Sequence, residues 1–148
     1  MAVPRKDQVA ARLQGEIQEL IDELWQVPRF SGLRRGFRPQ VDVIRTDDDP
    51  AAFRVVVELA GVDPDDVKLY ADDRTLVLVG ERKRSHRGRY FHMEIDHGAF
   101  QRRIEFAEPV DPAEARAEYA RGLLTVSLPI AERKRASEKV VIEVGRSS

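Results

Sequence analysis

The hydrophobic pattern changes period along the chain. Between residues 6 and 26, Val9, Leu13, Ile17, Leu20, Ile21 and Leu24 recur at intervals of three and four, with Gln14, Glu16, Glu19, Asp22 and Glu23 between them. That spacing predicts an amphipathic helix, which Pro28 ends because proline cannot continue the hydrogen-bond ladder. The next stretch scatters Phe30, Leu33 and Phe37 among glycines and arginines up to Pro39 and carries no core period. From about Pro39 to Pro129 the period becomes two. Val55, Val57 and Leu59 alternate with Arg54, Val56 and Glu58, and Val67 and Leu69 alternate with Asp66, Lys68 and Tyr70. Turn chemistry separates these runs at Asp47-Asp48-Asp49-Pro50, Gly61-Val62-Asp63-Pro64-Asp65, Asp72-Asp73 and Asp111-Pro112. Leu76-Val77-Leu78-Val79 is apolar at every position, as in a strand buried between two layers. Many short strands at close spacing predict an all-β, Ig-like antiparallel sandwich. The paired cysteines and core tryptophan of antibody domains are missing, since Trp25, the only tryptophan, precedes the strands.

Two short segments sharpen the picture. Ala117-Glu118-Tyr119-Ala120-Arg121-Gly122-Leu123-Leu124, continuing to Pro129, reads as a strand, a tight turn at Gly122, and a second strand with Leu124, Val126 and Leu128 on one face. Glycine suits such a turn because it reaches positive φ without steric cost. The tail from Ala131 is highly charged through Glu138-Lys139 and then becomes Val140-Val141-Ile142-Glu143-Val144, with Ile142 and Val144 on one side. A β-favouring peptide of this length cannot fold alone and needs an edge strand or groove that belongs to something else.

Composition narrows the function. The 148 residues make one domain-sized unit, and 25 basic against 26 acidic side chains leave a net charge of -1. No global field favours a polyanion, so nucleic acid is not an expected partner. There are no cysteines, which excludes a disulfide framework or thiolate chemistry and fits a reducing cytoplasm. No apolar run approaches the ~20 residues of a membrane span, and the first residues lack the apolar run of a signal peptide. A soluble cytoplasmic protein is expected.

The strand–turn–strand and the apolar tail resemble the small heat-shock protein (α-crystallin) family, bacterial type. Ala117, Gly122 and Leu124 after Val110-Asp111-Pro112 match the family's signature in order and spacing. Val57-Glu58-Leu59-Ala60-Gly61-Val62, Leu76 to Arg82, and Gly98 to Arg103 support the match. The resemblance divides the chain into an arm at 1–38, an α-crystallin sandwich at 39–130 and an extension at 131–148. It implies an ATP-independent holdase chaperone, with no catalytic site and no cofactor, whose partners are other copies of itself and non-native client proteins. Ile142 and Val144 would be a peg docking in a neighbour's groove formed by Val67, Leu69, Ala115, Ala117 and Tyr119. A dimer interface would use Arg102 together with Tyr90, Phe91, Met93 and Ile95 from the loop 83–97, which in relatives carries a strand exchanged between subunits. Clients would bind Leu13, Ile17, Leu20, Leu24, Trp25, Phe30, Leu33 and Phe37. This chain departs from the family at Ala60, where proline is usual before the glycine.

Two rival functions fit parts of the sequence. A monomeric β-sandwich co-chaperone would need neither the peg nor the long loop. A metal-dependent enzyme could draw on His86, His92 and His97 with Glu94 and Asp96, although a polar exposed loop accounts for the same residues. The basic run Arg82 to Arg89 has the charge to meet phosphate, but it lacks interleaved aromatics before Tyr90 and Phe91.

Overall fold

Residues 36–131 and 139–146 are described by a computed structural model. The helix expected over 6–26 lies outside them. The sandwich is present. One sheet takes the order β1-β2-β7-β6-β9 and the other β5-β4-β3-β8. The strands are β1 (Val41–Thr46), β2 (Ala52–Glu58), β3 (Val67–Ala71), β4 (Thr75–Arg82), β5 (Gly98–Glu105), β6 (Arg116–Ala120), β7 (Leu123–Pro129), β8 (Val140–Ile142) and β9 (Val144–Arg146). Every pairing is antiparallel except β6 with β9.

The period-two pattern sets the register. Phe53 lies opposite Leu128, Val55 opposite Val126 and Val57 opposite Leu124, so the apolar parity of β2 meets that of β7 and both face inward. From the other sheet, Leu69, Leu76, Leu78 and Phe100 complete the core. A one-residue slip would turn each of these sets outward. Val79, on the outer parity of β4, is buried as well and Val77 half-buried, in keeping with a strand apolar on both sides. Gly80 is required by a close approach: a Cβ there would stand 2.4 Å from the Asp66 carbonyl oxygen and 2.6 Å from the Phe100 ring.

Phe37 departs from expectation. Grouped by sequence with the client-binding arm, it is buried in the core, its ring edge-on to Phe100 at 5.5 Å between centroids. The packed domain therefore begins before position 39. The segment 36–40 is held by Arg102, whose Nη1 donates to the Pro39 carbonyl at 2.8 Å, and by the Glu58 amide, which donates to the Gln40 carbonyl at 3.0 Å.

Candidate docking groove

On one side of the sandwich, β3 and β6 would be the two sheet edges if the C-terminal strand were absent. The tail fills the space between them. Val140–Ile142 pairs antiparallel with β3, placing Ile142 opposite Leu69, and Val144–Arg146 pairs parallel with β6, placing Val144 opposite Ala117. A single extended segment thus crosses from one sheet to the other at Glu143. Its alternation decides which side chains enter: Ile142 is 6% exposed and Val144 half-buried, whereas Val141 and Glu143 face out. Of the five groove residues expected from sequence, Leu69, Ala117 and Tyr119 lie opposite Ile142, Val144 and Arg146, Val67 begins β3, and Ala115 directly precedes β6. Val67, Leu69 and Ala117 are buried, and Ala115, Tyr119 and Val144 are partly buried against the core. Ala115 and Ala117 are small, which leaves room for branched side chains. Tyr119 donates its hydroxyl proton to the Leu59 carbonyl at 2.9 Å, and burial pushes its phenol pKa up, so it stays a donor. The sequence reading sends the tail to another subunit, whereas in the single chain it occupies the groove of its own domain.

A contact beyond the two apolar residues escaped the sequence reading. Nη2 of Arg146 lies 3.0 Å from Oδ1 of Asp63 and 3.2 Å from Oδ2 of Asp65. Ile142, Val144 and Arg146 share one parity, the signal that could have drawn attention to the arginine.

The opposite side of the sandwich presents the edge strand β1 and the loop 83–97. Val43 and Ile44 point to opposite faces of β1, yet each is nearly half exposed. In the loop, Tyr90, Phe91, Met93 and Ile95 are all exposed, Phe91 at 93%. Arg82 anchors the loop's far end. Its guanidinium lies 3.6 Å from the Phe37 ring centroid and donates from Nε to the Asp96 carbonyl at 2.8 Å and from Nη1 to the Ala60 carbonyl at 3.2 Å. Arg102 shares the inward parity of Phe100 and Ile104, and burial lowers its pKa, helped by Arg38 nearby. Arg103, on the other parity, is exposed and paired with Glu105 at 3.4 Å.

The three histidines line one cleft beneath this loop with Tyr90, Met93 and Ile95. His92 pairs with Glu94 at 3.1 Å, and Nδ1 of His97 lies 2.9 Å from the Ile95 carbonyl oxygen. Among the described residues no three of His, Cys, Asp and Glu are grouped to hold a metal ion. No helix among them is long and apolar enough to cross a membrane. Of the expected client-binding residues, Leu13, Ile17, Leu20, Leu24, Trp25, Phe30 and Leu33 lie outside the described residues.

Comparison with known proteins agrees with this geometry. The alpha-crystallin of Mycobacterium tuberculosis is 31% identical over 118 residues, covering 78% of this chain and 80% of that protein. The 18 kDa heat shock protein of Streptomyces albus G is 34% identical over 92 residues, 60% of this chain and 64% of that one. Among solved structures, heat shock protein 16.0 from Schizosaccharomyces pombe superposes with a TM-score of 0.58 at 30% identity, covering 70% of this chain and 96% of that chain. The profile of the Hsp20/alpha crystallin family matches residues 45–144, a span that runs from β1 through the docked Val144, and the chain belongs to that family of small heat-shock proteins.

Proposed function

We propose that this chaperone is an ATP-independent holdase, built from dimers into larger homo-oligomers, that keeps partly unfolded proteins from aggregating. The observation that carries the reading is the strand Val140–Arg146 seated between β3 and β6. Two branched side chains contribute ~1.5–3 kcal/mol each at most before ordering costs. Such a contact is weak and exchangeable, and a neighbour's tail offers the groove the same residues as the chain's own. Many such contacts in one particle add through effective concentration. When they release, apolar groove and arm surfaces become available, and hydrophobic attraction accepts many client sequences because it is non-directional. The arm 1–38 supplies the client surface through Leu13, Ile17, Leu20, Leu24, Trp25, Phe30 and Leu33. The cysteine-free sequence suits work in the cytoplasm.

The dimer forms on the other side, with Tyr90, Phe91, Met93 and Ile95 laid along a partner's β1 beside Arg102. Exposed apolar residues on both elements support this, and so does charge order. The loop has Arg84, Arg87 and Arg89 before its apolar residues and Glu94 and Asp96 after them. Strand β1 has the same order, with Arg34, Arg35 and Arg38 before and Asp47, Asp48 and Asp49 after. Antiparallel pairing brings opposite charges together at both ends, and parallel pairing brings like charges together.

The test compares wild type with Ile142→Ala/Val144→Ala. The truncations remove buried carbon worth about 0.8 kcal/mol per CH2, roughly 3 kcal/mol in all, or about a hundredfold in docking. The expected variant is a folded dimer or other small species by light scattering, and wild type suppresses aggregation of a heat-labile enzyme without ATP. Unchanged mass in the variant refutes the peg, and aggregation unaffected by wild type refutes the holdase.

A further inference from the structure

We propose that docking is read at a third point, an ionic latch between Arg146 and the carboxylates of Asp63 and Asp65, and that this latch makes the groove selective for the tail of a second copy of this chain. The inference rests on the reading that the tail docks between subunits. Ile142, Val144 and Arg146 occupy alternate positions of one extended segment, so all three turn toward the domain. The third meets acid instead of an apolar surface: Nη2 lies 3.0 Å from Asp63 and 3.2 Å from Asp65.

The acidic end is prearranged. Oδ1 of Asp63 accepts the Asp65 amide at 2.9 Å, capping the 3-10 turn Pro64–Asp66 that leads directly into β3. The turn's remaining carboxylate, Asp66, is bound by Lys83 at 3.1 Å. The arginine therefore sits between the capping carboxylate of Asp63 and the exposed carboxylate of Asp65, at the end of the strand against which Ile142 docks. Exposed ion pairs are individually modest. Selectivity arises from the alternative, because a tail bringing a carboxylate to this point meets two like charges. Tails that share an Ile-x-Val pair are then sorted by the charge two residues further on. The occupant that satisfies hydrophobic pocket and latch together is the sequence Val140 to Arg146 itself, supplied by another subunit.

The experiment measures subunit exchange between fluorophore-labelled full-length chains by energy transfer, at low and at roughly half-molar salt, where screening shortens to a few ångströms. Arg146→Glu is expected to speed exchange about three- to tenfold at low salt and to flatten its salt dependence. Adding Asp65→Lys, which leaves the Asp63 cap intact, should recover about half of that change. When the double variant is mixed with wild type, mixed particles should be depleted relative to random assortment. Exchange of Arg146→Glu at the wild-type rate with the wild-type salt response overturns the latch, as does random mixing of the double variant. The control is Ile142→Ala/Val144→Ala. If that variant falls apart while Arg146→Glu is unaffected, the latch alone is wrong. If its mass is unchanged, docking between subunits is wrong and the latch falls with it.

Discussion

Replacing Gly122 by alanine should destabilise the domain by roughly 2–3 kcal/mol, through two separable causes. The hairpin joining β6 to β7 has a two-residue turn, with Arg121 at φ 55 and Gly122 at φ 80, the mirror-image turn that matches strand twist. An alanine there bears a left-handed penalty of about 1–2 kcal/mol. Its Cβ would also lie 3.1 Å from the Ala60 Cα and 3.3 Å from the Ala60 Cβ, so hairpin or neighbour must move. Ala60 is poorly placed to move. The Leu59 amide donates to the Gly122 carbonyl at 2.7 Å and the Val62 amide to the Leu59 carbonyl at 3.1 Å, while Arg82 holds the Ala60 carbonyl. Overpacking of this kind costs about 1 kcal/mol or more. At about 4–8 °C per kcal/mol for a domain of this size, the melting temperature should fall by roughly 8–24 °C. Several protein concentrations are needed, because assembly also shifts the transition. In the double variant Ala60→Gly/Gly122→Ala the 3.3 Å contact with the Ala60 Cβ is removed, while the 3.1 Å approach to the Cα of residue 60 and the φ penalty remain, so only a small part of the loss should return. Arg121→Asn should act oppositely, raising stability by about 0.5 kcal/mol, since asparagine tolerates this region better. A Gly122→Ala protein melting within a degree of wild type refutes the assignment of this turn.

Leu124→Ala, at a fully buried position opposite Val57, should cost ~2–5 kcal/mol in denaturant unfolding. Arg102→Ala should cost ~1–3 kcal/mol by leaving the buried Pro39 carbonyl without its donor; Arg102→Lys should restore part of this, and equal loss in both would refute the hydrogen-bond account. Removing residues 1–35 should leave a folded β-rich dimer that has lost most suppression of client aggregation, and full protection by that truncation would move client binding to the sandwich. Removing residues 1–37 should in addition lower the melting temperature, because Phe37 leaves a gap against Phe100 and Arg82.

The parts of the molecule legible in sequence are those governed by local period. Alternation in β2, β3 and β7 places Val55, Leu69 and Leu124 inward without reference to any partner, and the same rule puts Ile142 and Val144 on one side of the tail. Parity also separates Arg102 from Arg103. What escaped depends on distant pairing. Phe37 stands among glycines and arginines with no periodic neighbour, and its burial comes from Phe100, Arg82 and the hold of Arg102 on Pro39. Arg146 reads as one more charge in a charged tail until the turn at Asp63 is brought beside it. The loop 83–97 carries apolar residues at 91, 93 and 95 that alternate like a strand, but among the described residues they pair with no strand of their own chain.

The two open sides of the sandwich are closed by different means, and that difference bears on how an assembly could come apart in stages. The β3–β6 side is closed by a strand whose hold rests on Ile142, Val144 and an exposed ion pair at Arg146. The side of β5 is closed by segment 36–40, which Phe37 ties into the core and Arg102 and Glu58 tie by hydrogen bonds. Releasing the tail uncovers groove residues such as Leu69 and Ala117 yet leaves the facing pairs of β2 and β7 untouched. Releasing segment 36–40 removes a core aromatic. On the proposed function, heat is expected to act first on the tail, and salt on its ion pair, before the domain unfolds. A particle held by such tails, as proposed, would loosen while its subunits remain folded, the order of events that the proposed holdase activity requires.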